Sequence, residues 1–90
     1  MIIINLYKEN DVKMSLPVSI KLMRQKAFMS QESFASALNV SVGTINRWEN
    51  GKSKPNITAM KKIKDFCDNN NLSFENIENE WFDSEEVAKK

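Results

Sequence analysis

Catalysis requires a nucleophile, an acid–base pair or a metal, and this sequence offers few of the side chains that supply them. It has no histidine and a single cysteine, Cys67. That removes Ser-His and Cys-His catalysis, histidine metal sites, zinc-finger spacings and any intramolecular disulfide. The carboxylates stand singly, without an evident acid–base pair, so the chain is expected to be non-enzymatic and to need no metal or cofactor. What remains is charge. The net charge is only +1, but that figure hides a division along the chain. Between Pro17 and Asn56, Lys21, Arg24, Lys26, Arg47, Lys52 and Lys54 face only Glu32 and Glu49. From Ser73 onward, Glu75, Glu78, Glu80, Asp83, Glu85 and Glu86 face only Lys89 and Lys90. A basic middle and an acidic end suit a polyanion-binding segment whose tail is held away from the polyanion.

Size and composition limit what can position those cations. Ninety residues, 41% hydrophobic and 28% charged, hold one modest core of the ordinary globular kind. No apolar run reaches the roughly 18 residues that cross a bilayer, and Met1–Tyr7 lacks the flanks of a signal peptide. The expectation is a cytoplasmic protein without membrane association.

The elements read as helices. Two glycines and two prolines punctuate the chain, and alternating β-branched patterns are rare. The exception is Met1–Tyr7, an apolar β-branched stretch that suits one strand but has no evident partner strand downstream. Lys8–Ser15 reads as a linker, making residues 1–15 an N-terminal extension. Pro17 suits the first position of a helix in which Ile20, Met23 and Ala27 share a face. Ser30 caps a second helix with Phe34, Ala35 and Leu38 inward, and Ser41 caps a third with Ile45 and Trp48 inward. Gly51 stands where the third helix needs a left-handed cap. Pro55 and Asn56 open a fourth helix carrying Met60, Ile63, Phe66 and Cys67 on one face, closed by Asn69 to Asn71. Ser73 caps a fifth, with Phe74, Ile77 and Trp81 in register. The folded unit spans 16–82, and 83–90 is expected to be an acidic to mixed-charge tail.

Only Asn39, Val40 and Ser41 separate the second and third helices, and so short a turn forces a steep crossing. Asn39 suits the left-handed backbone such a turn needs, and Ala35 is small where a larger side chain would part the helices. Leu38, Val40, Ile45 and Trp48 brace the pair. This leaves the opposite face of the third helix, with Val42, Gly43, Asn46, Arg47 and Asn50, free to enter a groove.

The segment Met29-Ser-Gln-Glu-Ser-Phe-Ala-Ser-Ala-Leu-Asn-Val-Ser-Val-Gly-Thr-Ile-Asn-Arg-Trp-Glu-Asn-Gly-Lys-Ser-Lys-Pro55 resembles the Cro/phage-repressor type of helix-turn-helix, the XRE family. The resemblance covers about Leu16 to Leu72. It implies an all-α, five-helix lambda-repressor-like DNA-binding domain, here preceded by a short extended segment, that binds operator DNA as a dimer and regulates transcription. It also implies roles for individual residues. Val42, Gly43, Asn46 and Arg47 fall where such proteins read bases: Arg47 suits guanine, Asn46 adenine and Val42 a thymine methyl. Gln31, Ser41, Thr44, Asn50, Lys52, Ser53 and Lys54 fall among phosphate contacts. Arg24 and Glu49 match a buried structural ion pair. The recognition helix departs from the glutamine-rich helices of some members, so no operator sequence carries over.

Phe74, Ile77 and Trp81, with Phe82, present more apolar surface than a terminal helix needs, so part of it is expected to meet a second copy. Two readings follow: a small dimeric repressor on double-stranded DNA, or an antitoxin-like or other interaction module whose termini bind a partner protein.

Overall fold

The structure is a computed structural model that describes residues 15–89, with side chains described through Ser84. The strand expected at Met1–Tyr7 lies outside the described residues. Five helices follow in order: α1 Leu16–Lys26, α2 Gln31–Leu38, α3 Val42–Glu49, α4 Ile57–Asn69 and α5 Glu75–Lys89. Among the described residues there is no strand, and no helix is long and apolar enough to cross a membrane.

Side-chain caps set the helix starts. The Ser30 hydroxyl accepts from the Ser33 amide at 3.0 Å, Ser41 from Thr44 at 3.1 Å, and Asn56 Oδ1 from Ala59 at 2.8 Å, each satisfying an amide that the first turn leaves unpaired. Helix α1 begins one residue earlier than Pro17 implies, with Ser15 as its N-cap and Leu16 buried. Helix α5 is likewise offset: Ser73 Oγ accepts from Glu75 at 3.4 Å, and the first full helical bond runs from Glu78 N to Phe74 O.

At the end of the described residues α5 continues to Lys89, through the segment expected to be an acidic to mixed-charge tail. After Trp81 only the small Ala88, at i+7, continues the stripe of Ile77 and Trp81, too weak an apolar signal for periodicity to extend the helix. The residues Asp83 to Lys89 are nonetheless mostly tolerable or good helix formers.

One face of each helix meets in a single core built on Ile20, Phe34, Ile45, Ile63, Phe66, Cys67 and Ile77. The Phe34 and Phe66 rings meet edge to face, centroids 5.1 Å apart, a favoured aromatic geometry. Cys67 is completely buried, and its thiol donates to Met23 Sδ at 3.2 Å, joining α4 to α1. Burial, with Asp68 adding to it, pushes that thiol up to about 11, so it remains protonated and unreactive near neutral pH. Ser19 on α1 donates to the Glu80 carboxylate on α5, fastening the last helix across the first.

Candidate nucleic-acid interface

Helices α2 and α3 pack directly on each other through a turn in which Asn39 adopts φ 58. Its side chain lacks the branching that would clash there. Ala35 is 4% exposed where the two helices approach. On α3, Ile45 and Trp48 are buried. Val42, Gly43, Asn46 and Arg47 form the solvent face of the same helix. A single amphipathic helix thus has one side fixed and one side offered.

The offered side has some internal order. Asn50 Nδ2 donates to Asn46 Oδ1 at 3.1 Å, so Asn50, expected among the phosphate contacts, also orients Asn46. An amide held this way still has its own N–H donors and a second lone pair to present to a base edge. A Cβ built on Gly43 would meet only Ser41 Oγ at 3.8 Å. Internal packing therefore gives no reason for glycine at that position. Ser41 and Thr44 hydroxyls lie 2.9 Å apart at the mouth of α3.

Behind this face, Arg24 joins three segments. Its Nε donates to Glu49 Oε2 at 2.7 Å, Nη2 to Glu49 Oε1 at 3.1 Å, and Nη1 to the Met29 carbonyl at 2.8 Å. The side chains are 12% and 3% exposed. The hydrogen bond to Glu49 raises the Arg24 pKa above its ordinary value, against the opposing effect of burial. Gln31 Nε2 also donates to Glu49 Oε1, at 3.0 Å. Since a carboxylate only accepts, this fixes which end of the Gln31 amide faces inward. The second N–H of that amide remains for an outside acceptor such as a phosphate oxygen.

The loop after α3 departs from expectation at one residue. Lys52 is exposed and Ser53 half-buried, but the Lys54 ammonium nitrogen is shielded from solvent and sits 5.2 Å from the Trp81 ring centroid. A cation over an indole face is attracted to it, so Lys54 ties the loop to α5 rather than standing out toward a phosphate. The Trp81 indole N–H donates to the Pro55 carbonyl at 2.7 Å, a second tie between the same loop and α5.

The surface expected to meet a second copy is corrected for the same reason. Ile77 and Trp81 are 2% and 9% exposed and belong to the core of the single chain. Phe74 is half-buried and Phe82 is 57% exposed. The apolar surface that remains is a groove between α4 and α5, lined by Ile57, Met60, Phe74 and Phe82. Sequence periodicity misses Ile57, the first residue of α4, because it lies off the buried stripe. The Asn46–Asn50 pair was readable from its i, i+4 spacing; the Trp81–Pro55 contact carries no local signal.

The Type II methyltransferase M.SsoII of Shigella sonnei is 39% identical over 57 residues, 60% of this chain and 15% of the methyltransferase. The chain therefore spans only a small part of that relative's length. No solved structure matches the chain. The family model described as helix-turn-helix matches residues 20–69, more than half of the sequence and all of α2, α3 and α4, so the chain belongs to the Cro/phage-repressor (XRE) type of helix-turn-helix family, a DNA-binding fold.

Proposed function

We propose that this protein is a sequence-specific, double-stranded DNA-binding transcriptional regulator, a small cytoplasmic repressor acting as a dimer, with no catalytic activity of its own. The observation that carries the reading is the division of α3. Ile45 and Trp48 anchor it, while Val42, Gly43, Asn46 and Arg47 stand together on its exposed face. Such a helix enters the major groove, where Arg47 suits the O6 and N7 of guanine and Asn46 an adenine edge. Gln31, Ser41, Thr44, Lys52 and Ser53 border that face and suit phosphate contacts that fix register.

The methyltransferase activity of the relative does not transfer, because the match covers 15% of that protein. Selection of bound sites from random duplex DNA, followed by a salt titration on the selected site, tests the proposal. A single enriched motif whose affinity falls steeply with salt is expected, since cationic contacts displace condensed counterions. No enrichment, with binding indifferent to salt, would remove the DNA reading.

A second reading has one observation in its favour: the groove bearing exposed Ile57 and Phe82 suits a protein partner, as in an antitoxin-like module. Retention of full duplex affinity when that groove is filled by the partner would show that the two functions coexist.

A further inference from the structure

Helices α1 to α4 end in the same hydrogen-bonded turn. In each, an amide beyond the helix reaches back to a carbonyl of the last turn: Met29 N to Arg24 O at 3.2 Å, Val40 N to Ala35 O at 2.9 Å, Lys52 N to Arg47 O at 2.9 Å and Leu72 N to Cys67 O at 2.8 Å. This geometry places the preceding residue in the left-handed region. Those residues are Phe28 (φ 58), Asn39 (φ 58), Gly51 (φ 75) and Asn71 (φ 57).

Three of the four are the residue types that tolerate positive φ, and the fourth is not. Glycine has no Cβ to clash, and asparagine is short and bonds locally, whereas phenylalanine bears the full steric cost. Burial of the ring in the core would offset that cost, yet Phe28 is 96% exposed. The chain thus keeps a strained backbone and an aromatic ring that gains nothing from the described part of the fold. Strain that folding does not explain points to a contact made outside the monomer.

The position of the ring indicates which contact. The Met29 carbonyl, one residue on, accepts from Arg24 Nη1, and the same guanidinium grips Glu49 at the end of α3. Phe28 is therefore held in a fixed relation to the recognition helix. On one side in sequence is exposed Lys26; on the other, Ser30 caps α2 and Gln31 begins it. An apolar ring that lies in sequence between a cation and the N-terminal amides of α2 complements a DNA strand, which alternates anionic phosphates with apolar deoxyribose faces.

We infer that Phe28 is a duplex contact, its ring packing on a sugar of the strand whose phosphate meets Gln31. The contact lies outside the bases, so it adds affinity without reading sequence. It rests on the DNA-binding reading.

Phe28→Asn and Phe28→Gly test it, because both suit the left-handed turn and neither threatens folding. Thermal unfolding and affinity for the selected duplex are measured on each, beside Phe28→Trp. The Asn and Gly variants should melt roughly 2–6 °C higher. They should also bind about fivefold or more weakly, by the same factor on preferred and scrambled duplexes. Phe28→Trp should bind within about twofold of the unmodified protein, since a ring remains. Undiminished affinity in the Asn and Gly variants would overturn the inference, as would a lowered melting temperature, which would mean that this chain itself covers the ring. Failure of the unmodified protein to bind any duplex would instead defeat the DNA reading, and this inference with it, before a variant is made.

Discussion

Arg24 and Glu49 form a two-pronged ion pair across 25 residues of sequence, Nε to Oε2 at 2.7 Å and Nη2 to Oε1 at 3.1 Å. Glu49 is the last residue of α3, so the pair fixes the far end of the recognition helix to α1. Gln31 donates to the same carboxylate, which adds the start of α2 to the joint. A bidentate guanidinium sets orientation as well as distance. The exposed face of α3 inherits that orientation.

Removing Arg24 should therefore affect stability before specificity. Arg24→Ala leaves the Glu49 carboxylate, 3% exposed, without its cation, a loss of about 3 kcal/mol or more. In a chain of this size that lowers the melting temperature by about 12 °C or more. Arg24→Lys should recover only part of it, having lost the two-pronged geometry. Calorimetry on the variants, with the selected motif redetermined for any that remain folded, checks both halves. An unchanged melting temperature would show that the pair contributes nothing.

Arg47 and Asn50 should separate contact from orientation. Arg47→Ala is expected to cost about 1–3 kcal/mol on the preferred site and to relax one base position. Asn50→Ala removes the bond that holds Asn46 without touching a base, so it should relax the position read by Asn46 while leaving that read by Arg47 intact. Site selection repeated with each variant distinguishes them. Equal loss on all sequences for Arg47→Ala would reassign it to the phosphates.

The loop lysines should divide in the same way. Lys52→Ala is expected to weaken every duplex alike and to reduce the dependence of log affinity on log salt by about one unit. Lys54→Ala should leave that slope nearly unchanged and instead lower the melting temperature, because its ammonium lies over Trp81. Trp81→Phe keeps a ring but removes the indole donor to Pro55. It should destabilise by about 1–2 kcal/mol, since that carbonyl loses its partner. Salt titrations and melting curves on the three variants decide this.

What was legible in the sequence is what short-range chemistry encodes. Caps at Ser30, Ser41 and Asn56, the left-handed Asn39 and Gly51, and the inward stripes of α1 to α4 all depend on neighbours within a turn or two. The role of Trp81 depends on a contact with Pro55 across 26 residues, and that of Lys54 on the same distant ring, for which spacing gives no cue. Trp81 continues the stripe of Ile77 and so reads equally well as core or interface until the partner surface is in place. Phe28 escaped for a different reason: aromatic residues usually report burial, and this one does not.

Cys67 gives stability an alkaline limit. Its pKa rises from an ordinary value of 9.0 to about 11 on folding, so the folded state holds its proton more tightly than the unfolded chain. The contribution is complete below pH 9 and is lost as pH rises toward 11. Relative to Cys67→Ala, the unmodified protein should therefore lose stability more steeply over that window, as measured by denaturant unfolding. A thiol reagent at neutral pH should label Cys67 only as fast as the chain opens.

Assembly is the final test. One recognition helix spans only a few base pairs, too few to single out a site among the competing sequences of a genome, so the regulator reading requires two copies. With Ile77 and Trp81 committed to the core, the groove of Ile57, Phe74 and Phe82 offers an apolar surface to a mate. Its rim has Lys61 and Lys64 on α4 and Glu78 on α5. A two-fold axis that sets α4 of one copy against α5 of the other would pair these opposite charges. Phe82→Glu places a carboxylate in the apolar part of such an interface; it also removes the edge-to-face contact with the Trp81 ring at 5.1 Å, so the melting temperature of the isolated chain should fall by only about 2–8 °C. Sedimentation with a duplex bearing two half-sites about 34 Å apart should give two copies of the unmodified protein per duplex, bound cooperatively. Phe82→Glu should bind the same duplex one copy at a time and more weakly. One unmodified copy per duplex at saturation, with no preference for an inverted repeat, would rule the dimer out.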